Sequence, residues 1–294
     1  MNKLVVILGP TASGKSDLSV KLAKKFNGEI VSADSRQVYR GLDIGSGKIT
    51  KKEMRNIPHY LLDVADPKRK FSVSQFQKLA TKKIKNIQKR DKVPFLVGGT
   101  GFYIQSVVDG ISIPEVKPNA KLRKELSKKS ADELFLMLKN LDPARAKTID
   151  AKNPRRLIRS IEIVKSTGKP VPTFQHSQEY WNVLEIGIKK SPKELSIAIK
   201  KRLTKRLAEG MITEVRRLHR LGLSWKRLEE LGLEYRFVAQ YIQEKITYQE
   251  MLFTLQKEIE HFAKRQMTWF KRDKKIHWVE NPFQAKELLK KFFA

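Results

Sequence analysis

Apolar positions fall into two rhythms along this chain, and the rhythms set out its elements. Leu4 to Leu8 is an unbroken apolar run, as expected of a parallel strand buried on both faces. Ser16 to Phe26 follows with Leu18, Leu22 and Phe26 at helical spacing. Glu29 to Ser32 predicts a second strand and His59 to Val64 a third. Ser72 to Arg90 predicts a helix with Phe76, Leu79, Ile84 and Ile87 on or near one face. Val93 to Val97 predicts a fourth strand that ends in Gly98-Gly99. Strands alternating with helices predict a parallel sheet covered by helices.

The rhythm changes after Gly110, where Pro114 and Pro118 punctuate a boundary. Between Asn119 and Thr167 the spacing of Leu122, Leu126, Leu134, Leu138 and Leu141 predicts short helices and no strand. Gly168-Lys169-Pro170-Val171-Pro172 breaks that pattern, and Val183 to Ile188 alternates like a strand returning to the sheet. Pro192 to Leu221 reads as one long basic helix and Thr247 to Phe270 as another. His277 to Val279 predicts a last short strand, and Phe283 to Phe293 a terminal helix. The expected organisation is a core over 1–114, a helical insertion over 115–182, and the rest of the core with basic helices over 183–294.

Composition narrows the chemistry. Lys+Arg 61 against Asp+Glu 31 leaves +30, which points to a polyanionic partner and most simply to nucleic acid, although a generally basic proteome gives the same excess. Cys is 0, which removes disulfides, thiolate zinc sites and a cysteine nucleophile. There is no run of about 18 apolar residues, so no membrane span is expected. The apolar run after Met1-Asn2-Lys3 is too short for a signal peptide, and a cytoplasmic protein is expected. His59, His176, His219, His261 and His277 have no metal-ligand spacing, and none is given a catalytic role; His261 takes a helical position beside Phe262 that suits burial.

Gly9-Pro10-Thr11-Ala12-Ser13-Gly14-Lys15-Ser16 matches the phosphate-loop pattern G-x-x-x-x-G-K-[ST], with a buried strand before it and a helix after it. Glycines let several N–H groups converge on one anion, and the helix N-terminus adds positive potential. Lys15 is placed to reach the terminal phosphates, and Ser16 to ligate a Mg²⁺ that neutralises them. The fold class is therefore α/β, a P-loop NTPase-like parallel sheet core with a helical insertion domain. Most such loops serve phosphoryl transfer, for which Leu61-Leu62-Asp63 offers an acid.

Two further loops fall at strand ends, where ligands of open α/β sheets bind. Asp34 follows the second strand; there an aspartate binds metal, acts as a base, or caps the following turn. Gly41-Leu42-Asp43-Ile44-Gly45-Ser46-Gly47-Lys48 is a second glycine-rich stretch. Gly98-Gly99-Thr100-Gly101-Phe102-Tyr103 closes the fourth strand and puts the Thr100 hydroxyl within reach of a phosphate oxygen. Convergence of such loops is more specific than any one of them.

Together GPTASGKS from Gly9, SADSRQVYRGLDIGSGK from Ser32, PHYLLDV from Pro58, GGTGFYI from Gly98, RRLIRSIEI with TGKP from Arg155, and AKRQMTWFKRD from Ala263 resemble the tRNA dimethylallyltransferases, also called tRNA isopentenyltransferases, in their bacterial form without a zinc finger. The resemblance runs from residue 4 to about 280. One stretch departs from the family: where a segment like QAIGYKE is usual, Leu228 to Arg236 has the Gly, the Tyr and a basic residue at different spacing.

The resemblance implies transfer of a dimethylallyl group from dimethylallyl diphosphate to the exocyclic amine of the adenosine 3′ of the anticodon, in tRNAs reading U-starting codons. It implies Asp34 as the base that takes the amine proton, a role typically worth ~10²–10⁴-fold. Lys15, Thr11, Thr100, the loop amides and Ser16-bound Mg²⁺ would then hold a diphosphate leaving group. Ser35, Arg36 and Gln37 are placed beside the extruded adenine. By family position Arg123 contacts substrate, against the equal reading of a solvated helical arginine, and the segment Arg155-Arg156-Leu157-Ile158-Arg159 binds tRNA, with the insertion as a lid on the anticodon arm. Lys200-Lys201-Arg202, Arg216-Arg217, Lys264-Arg265 and Lys271-Arg272 are expected on the tRNA backbone. Trp269 and Phe270 either stack on a base or, the stronger reading, pack in the core. A monomer is expected. The competing readings are a free-nucleotide (adenylate) isopentenyltransferase and a P-loop small-molecule kinase.

Overall fold

A computed structural model describes residues 2–172 and 181–294, so His176 lies outside the described residues. The chain divides into two units, one over 1–108 and 180–294 and the other over 109–179, against the 115–182 expected for the insertion.

The first half of the larger unit runs β1 (Lys3–Leu8), α1 (Lys15–Lys25), β2 (Gly28–Ala33), α2 (Lys51–Met54), β3 (His59–Tyr60), α3 (Val73–Gln88), β4 (Val93–Gly98) and α4 (Gly101–Val108). The smaller unit holds α5 (Ala120–Leu126), α6 (Ala131–Leu141), α7 (Pro143–Ala146) and α8 (Pro154–Thr167). The larger unit resumes with β5 (Asn182–Ile188), α9 (Pro192–Ala208), α10 (Met211–Arg220), α11 (Trp225–Glu230), α12 (Leu233–Ile242), α13 (Tyr248–Phe270), β6 (His277–Val279) and α14 (Pro282–Phe293).

The strands form one parallel sheet in the order β3-β2-β4-β1-β5-β6. β1 is central, with Val6 registered against Leu96 on one side and Glu185 on the other. That position explains its unbroken apolar run, since successive side chains alternate between two buried faces. Val5 and Ile7 join Leu18, Leu22, Ala285 and Leu289 under α1 and α14. Leu4, Val6 and Leu8 join Phe76, Ile84, Tyr103 and Ile104 under α3 and α4. A third apolar cluster builds α9 to α13 around Leu203, Val215, Tyr235 and Leu255, and it takes in Val38, Tyr39 and Leu42 from the loop after β2.

Three expectations are corrected. The strand expected over His59–Val64 stops at Tyr60, because Leu61 (φ 63°) and Asp63 (φ 57°) turn the chain through the left-handed region. The helix expected over 192–221 is two helices, broken at Gly210 (φ 100°), a conformation that suits a residue without Cβ. His261 is exposed rather than buried, beside Glu258 on the solvent side of α13. Helices α2, α4, α11 and α12 are additions to the sequence reading. Among the described residues, no helix is long and apolar enough to cross a membrane.

Candidate active site

The phosphate loop joins the end of β1 to the start of α1. Gly14 caps α1 at φ 89°, which favours glycine, and no side chain caps the helix's first amides. Lys15 Nζ donates to Pro10 O at 3.1 Å, so the side chain curls back over its own loop. Burial, then the neighbouring Arg202, lowers the Lys15 ammonium to about 8, partly opposed by Asp34. Such a site holds excess positive charge that an anion would relieve. The buried Ser13 hydroxyl has no partner in the protein, which is a further donor toward an anion in the loop.

Asp34 follows β2 directly. Its Oδ1 accepts from Arg36 N at 2.8 Å and Gln37 N at 3.3 Å, so the carboxylate caps the turn that follows. That bonding anchors one oxygen and fixes the direction of the other. The turn is tied to the loop after β4, where Ser35 N donates to Thr100 Oγ1 at 3.1 Å and Thr100 N to Ala33 O at 3.3 Å. The Thr100 hydroxyl thus accepts a backbone bond and keeps its own hydrogen to donate. Lys15, Ser16 and Asp34 line one cavity, together with Ser32, His59 and the apolar side chains Ile30, Ile49, Leu62 and Val97.

Gln266 of α13, buried within AKRQMTWFKRD, completes the frame. Its Oε1 accepts from Thr11 N at 2.8 Å and its Nε2 donates to Gly99 O at 2.8 Å. One side chain so bridges the phosphate loop and the loop after β4. Any side chain at Gly99 would collide with it, and one at Gly101 would collide with Trp269. Trp269 and Phe270 pack against the α3–α4 core, in line with the packing reading.

The glycine-rich stretch 41–48 is held by residues the sequence left unassigned. Glu214 and Tyr235 take its amides, and Arg206 lies so close that a Cβ on Gly47 would collide with its guanidinium. Arg202, expected on the tRNA backbone, is instead half-buried beside Lys15; burial, then Arg206, lowers it to about 10. Arg202 and Arg206 are four apart, on the side of α9 that also buries Ile199 and Leu203. That spacing was the available signal, hidden inside a run of lysines. Gln37 donates its side-chain amide to Gly47 O at 3.1 Å and is committed to this stretch. Lys48 donates to Asp43 Oδ1 at 2.7 Å and Asp63 Oδ1 at 2.5 Å, so Asp63 is an ion-pair partner of Lys48.

Within the smaller unit, Glu162 organises the expected tRNA residues. Arg123 grips it through Nε (2.8 Å) and Nη2 (2.6 Å), and Arg159 through Nη1 (2.5 Å). Arg159 Nη2 also donates to Val116 O at 3.1 Å. Leu157 is fully buried with Leu134, Leu138 and Ile161, and Ile158 packs beside them. These two residues were expected on tRNA; their apolar side chains instead complete the core of the unit. Arg155 and Arg156 are exposed.

Among the described residues there is no cluster of His, Cys, Asp and Glu that would hold a metal by itself. The one carboxylate lining the cavity among the described residues is Asp34, beside the neutral oxygens of Ser16, Ser19, Ser32 and Gln37. Mg²⁺ takes few protein ligands and fills its shell with waters and phosphate oxygens. A lining with a single carboxylate fits an ion that arrives with a phosphate.

Comparison with known proteins points to one family. A family profile described as IPP transferase matches residues 37–273. The chain is 39% identical to a tRNA dimethylallyltransferase of Carboxydothermus hydrogenoformans, covering 98% of this chain and 94% of the relative. It is 41% identical to one of Anoxybacillus flavithermus, covering 95% and 90%. The crystal structure of a full-length tRNA isopentenylpyrophosphate transferase from Bacillus halodurans superposes with a TM-score of 0.73 at 36% identity, covering 100% of this chain and 95% of that one.

Proposed function

The chain belongs to the IPP transferase family and transfers a dimethylallyl group to tRNA, and from that premise we propose that its donor is dimethylallyl diphosphate and its acceptor the exocyclic amine of the adenosine 3′ of the anticodon, in tRNAs reading U-starting codons. The observation that carries this reading is the shared cavity: a carboxylate, a buried ammonium and an apolar wall line one space.

The amine lone pair of adenine is delocalised into the ring, so attack on the allylic carbon needs help. Asp34 accepts the amine proton as the new C–N bond forms, using the oxygen not spent on the turn. The C–O bond to diphosphate breaks on the opposite side. Lys15, the Thr11 and Ser13 side of the loop, and Thr100 hold the departing diphosphate, with Arg202 beside Lys15 adding charge. Ser16, with the diphosphate oxygens, would hold Mg²⁺, which supplies positive charge to the leaving group. Ile30, Ile49, Leu62 and Val97 shield the alkyl group from water. Arg36 extends from the turn beside Gly232 and is available to the anticodon loop. The exposed Arg155 and Arg156 give the smaller unit a cationic contact for the anticodon arm. One chain carries base, leaving-group site and basic surface, so the working form is a monomer, acting in the cytoplasm where tRNA is its substrate.

The test is transfer of radiolabelled dimethylallyl diphosphate, with Mg²⁺, to an anticodon stem-loop and in parallel to AMP. Label is expected on the stem-loop alone. Asp34→Asn is expected to slow transfer by about 10²–10⁴-fold while donor binding survives. Label on AMP would move the protein to the free-nucleotide class. ATP hydrolysis without label would make the cavity a phosphoryl-transfer site.

A further inference from the structure

Glu214 belongs to none of the motifs that carry the reaction, yet it is buried and all its acceptor capacity goes to one short stretch of backbone and one phenol. Oε2 accepts from Asp43 N at 3.0 Å and Ile44 N at 2.8 Å. Oε1 accepts from Gly45 N at 3.0 Å and from the Tyr235 hydroxyl at 2.8 Å. The Tyr235 oxygen in turn accepts from Ser46 N at 3.1 Å. Consecutive amides from 43 to 46 therefore end on one carboxylate–phenol pair.

The loop so held touches both halves of the chemistry. Gly47 O accepts from Gln37 Nε2, and Gln37 N is bound by Asp34 Oδ1. On the other side Gly45 O accepts from Arg206 Nη1 at 3.4 Å, and Arg206 pairs with Glu234 Oε1 at 3.2 Å. Arg206 and Arg202 are among the charges that act on Lys15. A buried carboxylate is a costly way to hold a loop if only packing is required, because apolar groups of similar volume serve stability as well. What it adds is direction: it admits one backbone arrangement, in which all of these N–H groups converge.

We infer that Glu214 and Tyr235 are positioning residues for dimethylallyl transfer: together they fix the 43–47 loop, and the loop sets the Asp34 turn through Gln37 and spaces Arg206 and Arg202 from Lys15. Tyr235 lies in the segment that departs from the family pattern, so the altered spacing still delivers the phenol to this loop. The inference rests on Asp34 as the base, which the Asp34→Asn rate tests separately in an otherwise unchanged protein.

The experiment is single-turnover transfer to tRNA by the full chain, comparing Glu214→Gln, Tyr235→Phe and the double variant with wild type. The amide of Glu214→Gln keeps the shape but turns an N–H₂ toward backbone donors. The rate constant is expected to fall about 10–100-fold, the scale of a misplaced catalytic group, with the reaction amplitude unchanged. Tyr235→Phe is expected to slow transfer about 3–10-fold. The double variant should be no more than about twofold slower than Glu214→Gln, because the pair acts as one unit. A purely structural role would lower the amplitude and the melting temperature and leave the rate constant alone; that result overturns the inference. So does a rate constant within about twofold of wild type in both single variants. If Glu214→Gln does not fold, Tyr235→Phe, which removes one oxygen, decides alone.

Discussion

Lys15 shares its surroundings with Arg202 and Arg206, and burial together with those charges brings its ammonium to about 8. The charge we propose for holding the leaving group is therefore lost within an accessible pH range. kcat/KM for the donor reports the free enzyme, so it is expected to fall about tenfold per pH unit above about 8, and the limb should vanish in Lys15→Met. A flat profile from pH 7 to 10 would count against Lys15 as the diphosphate cation. Stability moves the other way. The folded value lies below the ordinary 10.5, so the unfolded chain binds more protons between about 8 and 10.5, and the Lys15 contribution to stability rises with pH through that window. At this scale the motif residues were legible in the sequence, because G-x-x-x-x-G-K-S carries its own chemistry. Gln266 and Glu214 were not: neither reacts with anything, and their importance lies in partners 255 and 169–171 residues away. Asp34 was legible as one of several things, and the structure shows the turn cap to be one of them, on a residue that also lines the cavity.

α8 shows how an element can conceal its purpose. Its basic face was read as a tRNA contact, but Arg159 turns back to Glu162, as does Arg123 from α5. Burial pushes the Glu162 carboxyl up, but bonds from Arg123, Asn119 N and Arg159 outweigh it and hold the group at about 2. Against an ordinary 4.5, that depression corresponds to roughly 3 kcal/mol, present above pH 4.5 and lost as pH falls toward 2. Glu162→Gln is expected to lower the melting temperature at pH 7, with the gap from wild type closing between pH 4.5 and 2. Equal melting temperatures at pH 7 would show that the ion pairs add nothing to the unit. Elements whose apolar period ran unbroken, such as β1, β4, α3 and α13, were legible nearly to the residue. Those decided by one backbone angle were not: Gly210 splits α9 from α10, and Leu61 ends β3, at positions where the apolar period simply continues.

At the scale of the whole molecule the excess of +30 governs how tRNA arrives. Each phosphate neutralised releases counterions, so tRNA affinity is expected to fall about 10³-fold or more between 50 and 200 mM salt if six or more phosphates are contacted. Donor affinity, set by a small enclosed site, should change far less. A filter-binding series in KCl reads both, and a tRNA affinity that moves by less than about threefold would deny the basic surface its role. The bridge from Gln266 to Thr11 and Gly99 has a consequence for synthesis. A ribosome makes the phosphate loop 255 residues before the side chain that braces it. β1 meanwhile waits for β5 to fill one of its two flanks. A nascent chain thus carries the loop's amides without their brace until α13 has been made, and the finished frame of the loop waits on a side chain 255 residues downstream.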